Sequence, residues 1–309
     1  MRLNRSEAVN GLSDLRRSCT FCLGEDFKQD VFRRPVFFAD KLSWYVRCCC
    51  CGSRSLTPMP DPAELKALYA AEYFEQPEDG LPLVGGLRDH SWVLENLPDR
   101  GDGLFVDLGC GNGDLLRIVA DHGYEVHGFD VDKASVEAAS MRSGCSASHF
   151  GELPSFAGMA ASVHLGDVIE HVTDPALLLE DVITLLKPGG LLLAQGPLEA
   201  NRSLFNIALA VSAMWNRLDP VTDPPHHVHL VSQRGQETLF SRLGFETIDF
   251  RLWDVSWPAP AEFEKALLRD RRRLGLFFCR WLSSTVRPIA PRVLSNRFNY
   301  VGRLPSRER

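Results

Sequence analysis

The chain predicts an α/β fold: a seven-stranded, largely parallel sheet flanked by helices, behind a small N-terminal cysteine module. Three observations carry this. From about Leu104 onward, short apolar runs alternate with helical patterns, the signature of strands connected through helices. The first of those runs ends in a glycine-rich turn that opens a helix, VDLGCGNGD over 106–114. Six of the nine cysteines fall within residues 1–57, which carry no long helical pattern.

The strand expectations, in order, are Leu104–Leu108, Glu125–Phe129, Ser148–Phe150, Ser162–Leu165, Gly190–Gly196, Thr247–Trp253 and Asn299–Leu304. Helices are expected over Asp114–His122, Lys133–Arg142, Pro175–Leu186 and Gln233–Leu243. Pro58, Pro60 and Pro62 mark a linker, and Ala63–Phe74 reads as a helix entered through Asp61-Pro62. The expected division is therefore a module over 1–57, a linker with a helix over 58–87, and a domain over 88–309 with a basic helical insertion at about 261–290.

At 45% hydrophobic and 24% charged residues, the composition is that of a soluble globular protein. The N-terminus has no apolar segment of the kind a secretory signal needs. No apolar run approaches the roughly 18 residues of a membrane span. A cytoplasmic location is expected, where thiols stay reduced and clustered cysteines point to metal before disulfides. From Lys265 to Arg309, twelve Lys and Arg oppose Asp270 and Glu308, a balance of +10. With an overall charge of −6, residues 1–264 carry −16. An acidic body speaks against nucleic acid, whereas the basic C-terminal part suits an anionic surface or substrate.

The run Cys48-Cys49-Cys50-Cys51-Gly52 pairs with Cys19-Thr20-Phe21-Cys22 upstream. Taking Cys19, Cys22, Cys48 and Cys51 gives C-x2-C, 25 intervening residues, and C-x2-C-G. Two such knuckles place four thiolates around a structural Zn2+, and the final glycine frees the tight turn. Cys49 and Cys50 are then passengers. Val36, Phe37, Phe38, Trp44 and Tyr45 suit the small hairpin of a zinc-ribbon-like module. A closed site of this kind would stabilise a module too small to fold on its core alone.

The glycine turn follows D-x-G-x-G-x-G. Glycine lets backbone approach a ligand closely, and the helix that follows offers unpaired N–H groups. A dinucleotide fingerprint would need a third glycine where Asp114 stands. S-adenosylmethionine fits better, because its charged amino acid moiety suits Asp107 and needs no pyrophosphate cradle, while Gly109 and Gly111 allow close approach. The second strand ends GFDVD over 128–132. Asp130 closes the apolar run and is placed to accept from ribose hydroxyls, and Asp132 reads as a helix cap.

These stretches, with GDVIEHVTDP (166–175), LLKPGGLLLAQGP (185–197), PPHHVHLVS (224–232) and LFSRLGFE (239–246), resemble the class I S-adenosylmethionine-dependent methyltransferases. The likeness runs from about Arg88 to Asp249 and is to the group with an EH dipeptide after the fourth strand. It implies a Rossmann-like seven-stranded sheet and cofactor contacts at Asp107, Gly109, Gly111 and Asp130. It also implies Glu152 and Leu153 beside the adenine and Asp167 near the methyl group. Zinc-knuckle modules precede some members of that group. Lys187-Pro188-Gly189-Gly190 is read as the turn from helix to fifth strand, with glycine ending the helix.

Methyl transfer needs an acceptor held in line with the sulfonium, and a base where the acceptor carries a proton. Histidine suits that base. His171 stands just past Asp167, at the mouth of the fourth strand, where ligands collect in such sheets. His226 and His227 lie in a loop after the fifth strand, and alternation would put His227 and His229 on one face. Three histidines there suggest a second metal, but no carboxylate or cysteine spacing nearby supports one. Asp223-Pro224-Pro225-His226 is similar to the motif of nitrogen methyltransferases, but comes too late in the chain and ends in His.

Leu274, Phe277, Phe278, Trp281 and Leu282 fall at helical spacing, with Arg269, Arg271, Arg272, Arg273 and Arg280 around them. Such a helix either packs as a lid or makes peripheral contact with the inner membrane face. The expected acceptor is a small-molecule, sugar or lipid-linked compound, methylated on oxygen. The rival readings are an RNA methyltransferase that binds through the cysteine module and a non-catalytic scaffold. The first would want a strongly basic, aromatic face near the site. The intact glycine turn and Asp130 speak against the second.

Overall fold

A computed structural model describes residues 18–30, 33–65, 90–201, 227–253, 263, 265, 271–286, 289 and 295–306. Two sheets organise these residues. The smaller holds β1 (Phe27–Gln29), β2 (Val36–Phe38), β3 (Lys41–Cys48), β4 (Arg54–Thr57) and β10 (His229–Leu230). The larger holds β5 (Leu104–Leu108), β6 (Val126–Asp130), β7 (Ser146–His149), β8 (Ala160–Gly166), β9 (Leu186–Pro197), β11 (Glu246–Trp253) and β12 (Arg297–Arg303).

The larger sheet runs β11-β12-β9-β8-β5-β6-β7. Its pairs from β9 to β7 are parallel, and β12 is antiparallel to both β9 and β11. Helices α2 (Asp114–Asp121), α3 (Lys133–Ser143), α4 (Pro175–Leu185) and α5 (Gln233–Arg242) provide the connections, after a short α1 (Ser91–Glu95). Every residue of β5 is buried. A central strand covered on both faces reads as a continuous apolar run, which is why LFVD-L was conspicuous in the sequence. Chain order reverses between β5 and β8, so their carboxyl ends open the crevice where ligands bind in such sheets. Asp107, the only charged residue in β5, lies next to that end.

All seven expected strands are present, with ends displaced by a few residues. The four helices agree to within one residue at each end. Asp132 caps α3 by accepting from the Ser135 amide at 2.8 Å, as its position suggested. The Lys187-Pro188-Gly189-Gly190 reading needs correction. The helix ends at Leu185, Leu186 is already extended, and β9 takes in all four residues. Ala160 pairs with Leu186 and Ser162 with Leu191, so these four residues bulge opposite Ala161, and Gly189 supplies the positive φ of 80° that the bulge needs. The linker helix is helical over 62–65, and the rest of its expected span lies outside the described residues.

The smaller sheet does not end with the cysteine module. β10 pairs antiparallel with β4, His229 opposite Ser55 and Leu230 opposite Arg54. The Ser232 hydroxyl donates to the Cys51 carbonyl at 2.7 Å, and the Ser232 amide donates to Ser53 Oγ at 3.1 Å. Phe21, fully buried, meets the His229 ring edge-on at 5.3 Å. The module and the larger sheet therefore share a packed boundary. α6 (Arg271–Val286) lies between β11 and β12, within the expected insertion. Phe278, Trp281 and Leu282 on it are exposed.

Candidate functional site

The crevice at the carboxyl ends of β5 and β8 is built from two halves. The first is made of backbone. Gly109 and Cys110 both donate their amides to the Phe129 carbonyl, at 2.8 and 3.1 Å, which ties the turn to β6. Gly109 has a φ of 78°, and a Cβ there would stand 2.7 Å from Val168 Cγ2. Gly113 caps α2 with a φ of 79°, and its Cβ would meet the Ala139 carbonyl at 2.9 Å. Only glycine satisfies both the left-handed conformation and the close approach. The Gly111 amide donates to Asp130 Oδ2 at 3.2 Å, and the Asp132 amide to Asp130 Oδ1 at 3.0 Å. Burial raises the Asp130 carboxyl above the ordinary range, and those amides oppose the rise. Asp107 is buried, and its Oδ1 is hydrogen-bonded to His164 Nδ1 at 2.7 Å.

Asp107, Gly109, Gly111 and Asp130 thus meet at one strand-end turn. Glu152 is exposed in the 3-10 turn Phe150–Phe156, whereas Leu153 is buried in the core. Asp167 follows β8 with a φ of 55°, its amide donating to the Gln195 carbonyl at 3.0 Å. A non-glycine residue held in that region marks a place where the surroundings impose the conformation. Its carboxylate pairs with Arg297 of β12.

The second half is made of side chains from separate elements. His171 and His227 meet edge to face, their ring centroids 4.7 Å apart. His227 Nδ1 lies 2.6 Å from Glu199 Oε2. Glu170 is 2% exposed, and its Oε1 lies 3.9 Å from His171 Nε2. Burial, helped by the Asp167 charge, pushes the Glu170 carboxyl up to about 8. Burial works against a charge on His227, but the Glu199 hydrogen bond together with the charges of Glu199, Glu170 and Asp167 outweighs it and holds the imidazolium up to about 9. Burial would raise the Glu199 carboxyl, but that hydrogen bond and the nearby positive charge of His227 together hold it below the usual carboxylate range. The Glu170 carbonyl accepts the amides of Val228 and His229, at 3.0 and 3.1 Å, and so locks the histidine loop onto the β8 turn.

Two expectations fail here. Carboxylates do support the histidines: Glu170 and Glu199, distant in sequence, are brought beside them by the fold. His227 and His229 do not share a surface, because β10 begins only at His229. That residue is fully buried with Nδ1 2.8 Å from Ser55 Oγ, facing the cysteine module. His226 lies outside the described residues. Glu199, Arg297, His164 and Tyr45 were missed as site residues; Tyr45 donates its hydroxyl to the His227 carbonyl at 2.7 Å. Glu170 was visible only as half of the EH dipeptide, and the others carried no local signal.

The four cysteines converge as their spacing predicted. Cys19 Sγ and Cys51 Sγ lie 3.8 Å apart and Cys22 Sγ and Cys48 Sγ 3.6 Å apart, with all four within 4.8 Å of one another. Tetrahedral bonds of about 2.3 Å to zinc would set sulfurs about 3.8 Å apart, so the donor set fits that ion. Gly52 has a φ of 86° and returns its amide to the Cys48 carbonyl at 2.9 Å. Cys49 and Cys50 are exposed at the tip.

Residues 88–249 match the family described as a methyltransferase domain. The chain is 29% identical over 143 residues to a ubiquinone biosynthesis O-methyltransferase of Acinetobacter baylyi, covering 42% of this chain and 60% of that protein. It is 32% identical over 144 residues to the protein of that name from Leptothrix cholodnii, again covering 42% and 60%. The chain thus spans about 60% of the length of these relatives. Among solved structures, an S-adenosylmethionine-dependent methyltransferase of Archaeoglobus fulgidus aligns at 15% identity with a TM-score of 0.45, over 69% of this chain and 90% of that one.

Proposed function

The chain belongs to the methyltransferase-domain family, and from that premise we propose that it transfers a methyl group from S-adenosylmethionine to an oxygen of a small-molecule, sugar or lipid-linked acceptor. One observation carries this reading: the glycine turn and the carboxylate–imidazole cluster meet through Val168, which would stand 2.7 Å from a Cβ on Gly109 and whose carbonyl accepts the His171 amide at 3.0 Å. In this reading, Asp107, Gly109, Gly111 and Asp130 hold the cofactor, with Glu152 and Leu153 on its adenine side. Asp167, braced by Arg297, borders the sulfonium. His171 and His227 meet the acceptor hydroxyl, and Glu199 fixes the His227 ring through Nδ1. His226 belongs to the same proposed acceptor loop.

The names of the O-methyltransferase relatives support an oxygen acceptor on a small molecule. Calorimetry with S-adenosylhomocysteine tests the donor half: one site per chain is expected, and no binding would favour the scaffold reading. Product mass spectrometry with hydroxylated acceptors then tests the transfer.

Two further assignments belong to the same proposal. Cys19, Cys22, Cys48 and Cys51 hold one structural Zn2+ in the module of residues 1–57, which the linker of 58–87 joins to the domain of 88–309. Metal analysis should find one zinc per chain in protein purified without chelator. The exposed Phe278, Trp281 and Leu282, in a segment rich in arginine, support peripheral contact with an anionic membrane. No helix among the described residues is long and apolar enough to cross one. Co-sedimentation with anionic vesicles at low salt, absent with neutral ones, is the expected result.

A further inference from the structure

Asp107 is the only charged side chain in the central strand β5, and His164 stands beside it on β8. We propose that His164 is a positioning residue of the cofactor site: it holds the Asp107 carboxylate in the orientation that receives the ammonium of the cofactor's amino acid arm. The role rests on the S-adenosylmethionine function proposed above and extends it to a residue that does not itself touch the ligand.

Sheet register creates the pair. Asp107 and His164 are partners in the parallel β5–β8 ladder, so their side chains leave the same face of the sheet. Asp107 Oδ1 and His164 Nδ1 lie 2.7 Å apart, and the side chains are 6% and 5% exposed. Phe105, two residues before Asp107, stacks on the imidazole with ring centroids 6.5 Å apart and 23° between the planes. Gly166, two residues after His164, leaves room for the ring, because a Cβ there would stand 2.6 Å from His164 Cε1. Neighbours on its own strand and on β5 thus fix the imidazole.

The second ring nitrogen shows which way the bond runs. His164 Nε2 is buried and has no hydrogen-bond partner among the described residues. A proton there would be an orphaned donor inside the sheet. A carboxylate can only accept, so the proton sits on Nδ1 and the ring donates to Asp107. Such a bond, made to a charged group away from water, is stronger than a neutral one.

Asp130 shows why a side chain is needed. Its two oxygens are oriented by the backbone amides of Gly111 and Asp132. Asp107 lies inside a strand whose ladders run to both β6 and β8, which commits the nearby amides to the sheet. Orientation of its carboxylate therefore falls to His164. With Oδ1 engaged, Oδ2 is the oxygen assigned to the ammonium, two residues before Gly109 opens the turn.

Calorimetry with two ligands separates positioning from a merely structural role. S-adenosylhomocysteine carries the amino acid arm, and 5′-methylthioadenosine has the same nucleoside and thioether without it. Asparagine offers an N–H close to the place of imidazole Nδ1, whereas leucine has a similar volume and no donor. His164→Leu should weaken S-adenosylhomocysteine about 10–100-fold, the factor that a hydrogen bond to a charged group represents, and leave 5′-methylthioadenosine within about threefold. His164→Asn should recover S-adenosylhomocysteine affinity to within about fivefold of the parent chain. Should His164→Leu not fold, Gly166→Ala decides: its Cβ displaces the ring, and the same selective loss is expected. Equal weakening of both ligands, no recovery by His164→Asn, or an S-adenosylhomocysteine affinity that neither His164→Leu nor Gly166→Ala changes overturns the role of His164 and leaves the cofactor reading intact. Failure of the parent chain to bind S-adenosylhomocysteine overturns both.

Discussion

The two halves of the crevice are built by different means. The half proposed to hold the methyl donor is a stretch of consecutive backbone, 107–113, closed by one carboxylate from the next strand. The acceptor half draws Glu170 and His171 from the turn after β8, Glu199 from beyond β9, His227 from the approach to β10 and Arg297 from β12. Tyr45, from the cysteine module, reaches across to the His227 carbonyl. The donor site can therefore survive the loss of distant elements that the acceptor site needs.

Removing the zinc proposed for the module should separate the halves most sharply. Chelation, or Cys48→Ser, should unfold the module, since structural zinc supplies folding free energy directly. β4 would then release β10, and turnover should fall by about three orders of magnitude or more, while S-adenosylhomocysteine still binds within about threefold. Parallel loss of both readouts would mean that the crevice is one cooperative unit. Next in size is His227→Asn. It should lower turnover by about 10²–10³-fold, within the range for a group positioned in a proton-transfer step, with calorimetric cofactor affinity unchanged.

Gly109→Ala probes the opposite half. Forcing alanine to a φ near 78° costs about 1–2 kcal/mol, before its Cβ displaces Val168. Cofactor binding should weaken about 10–100-fold, with the module's zinc content unchanged. Tyr45→Phe is the mildest test. Loss of its hydrogen bond to the His227 carbonyl should cost about 1 kcal/mol, read as a roughly fivefold drop in kcat/KM with S-adenosylhomocysteine affinity intact.

The same division explains what could be read from the chain. Asp107, Gly109, Gly111 and Asp130 announce themselves because a strand end, a φ > 0 turn and a helix start must follow one another within a few residues. The cysteine knuckles were equally local: each pair sits on one turn, and only the pairing of the two turns had to be inferred. Glu199, by contrast, sits in PLEA with no pattern around it. The bulge at Lys187–Gly190 was misread as a helix stop, because Pro-Gly-Gly breaks a strand's regularity as readily as it ends a helix.

By itself, then, the sequence determined the sheet's elements, the donor turn and the four-thiolate knuckles, since each depends on residues close along the chain. Tertiary structure alone decided that Glu170 and Glu199 would stand beside His171 and His227, and that β10 would complete the module's sheet. Those arrangements depend on strand order and packing, which bring together side chains whose separation in sequence carries no signal.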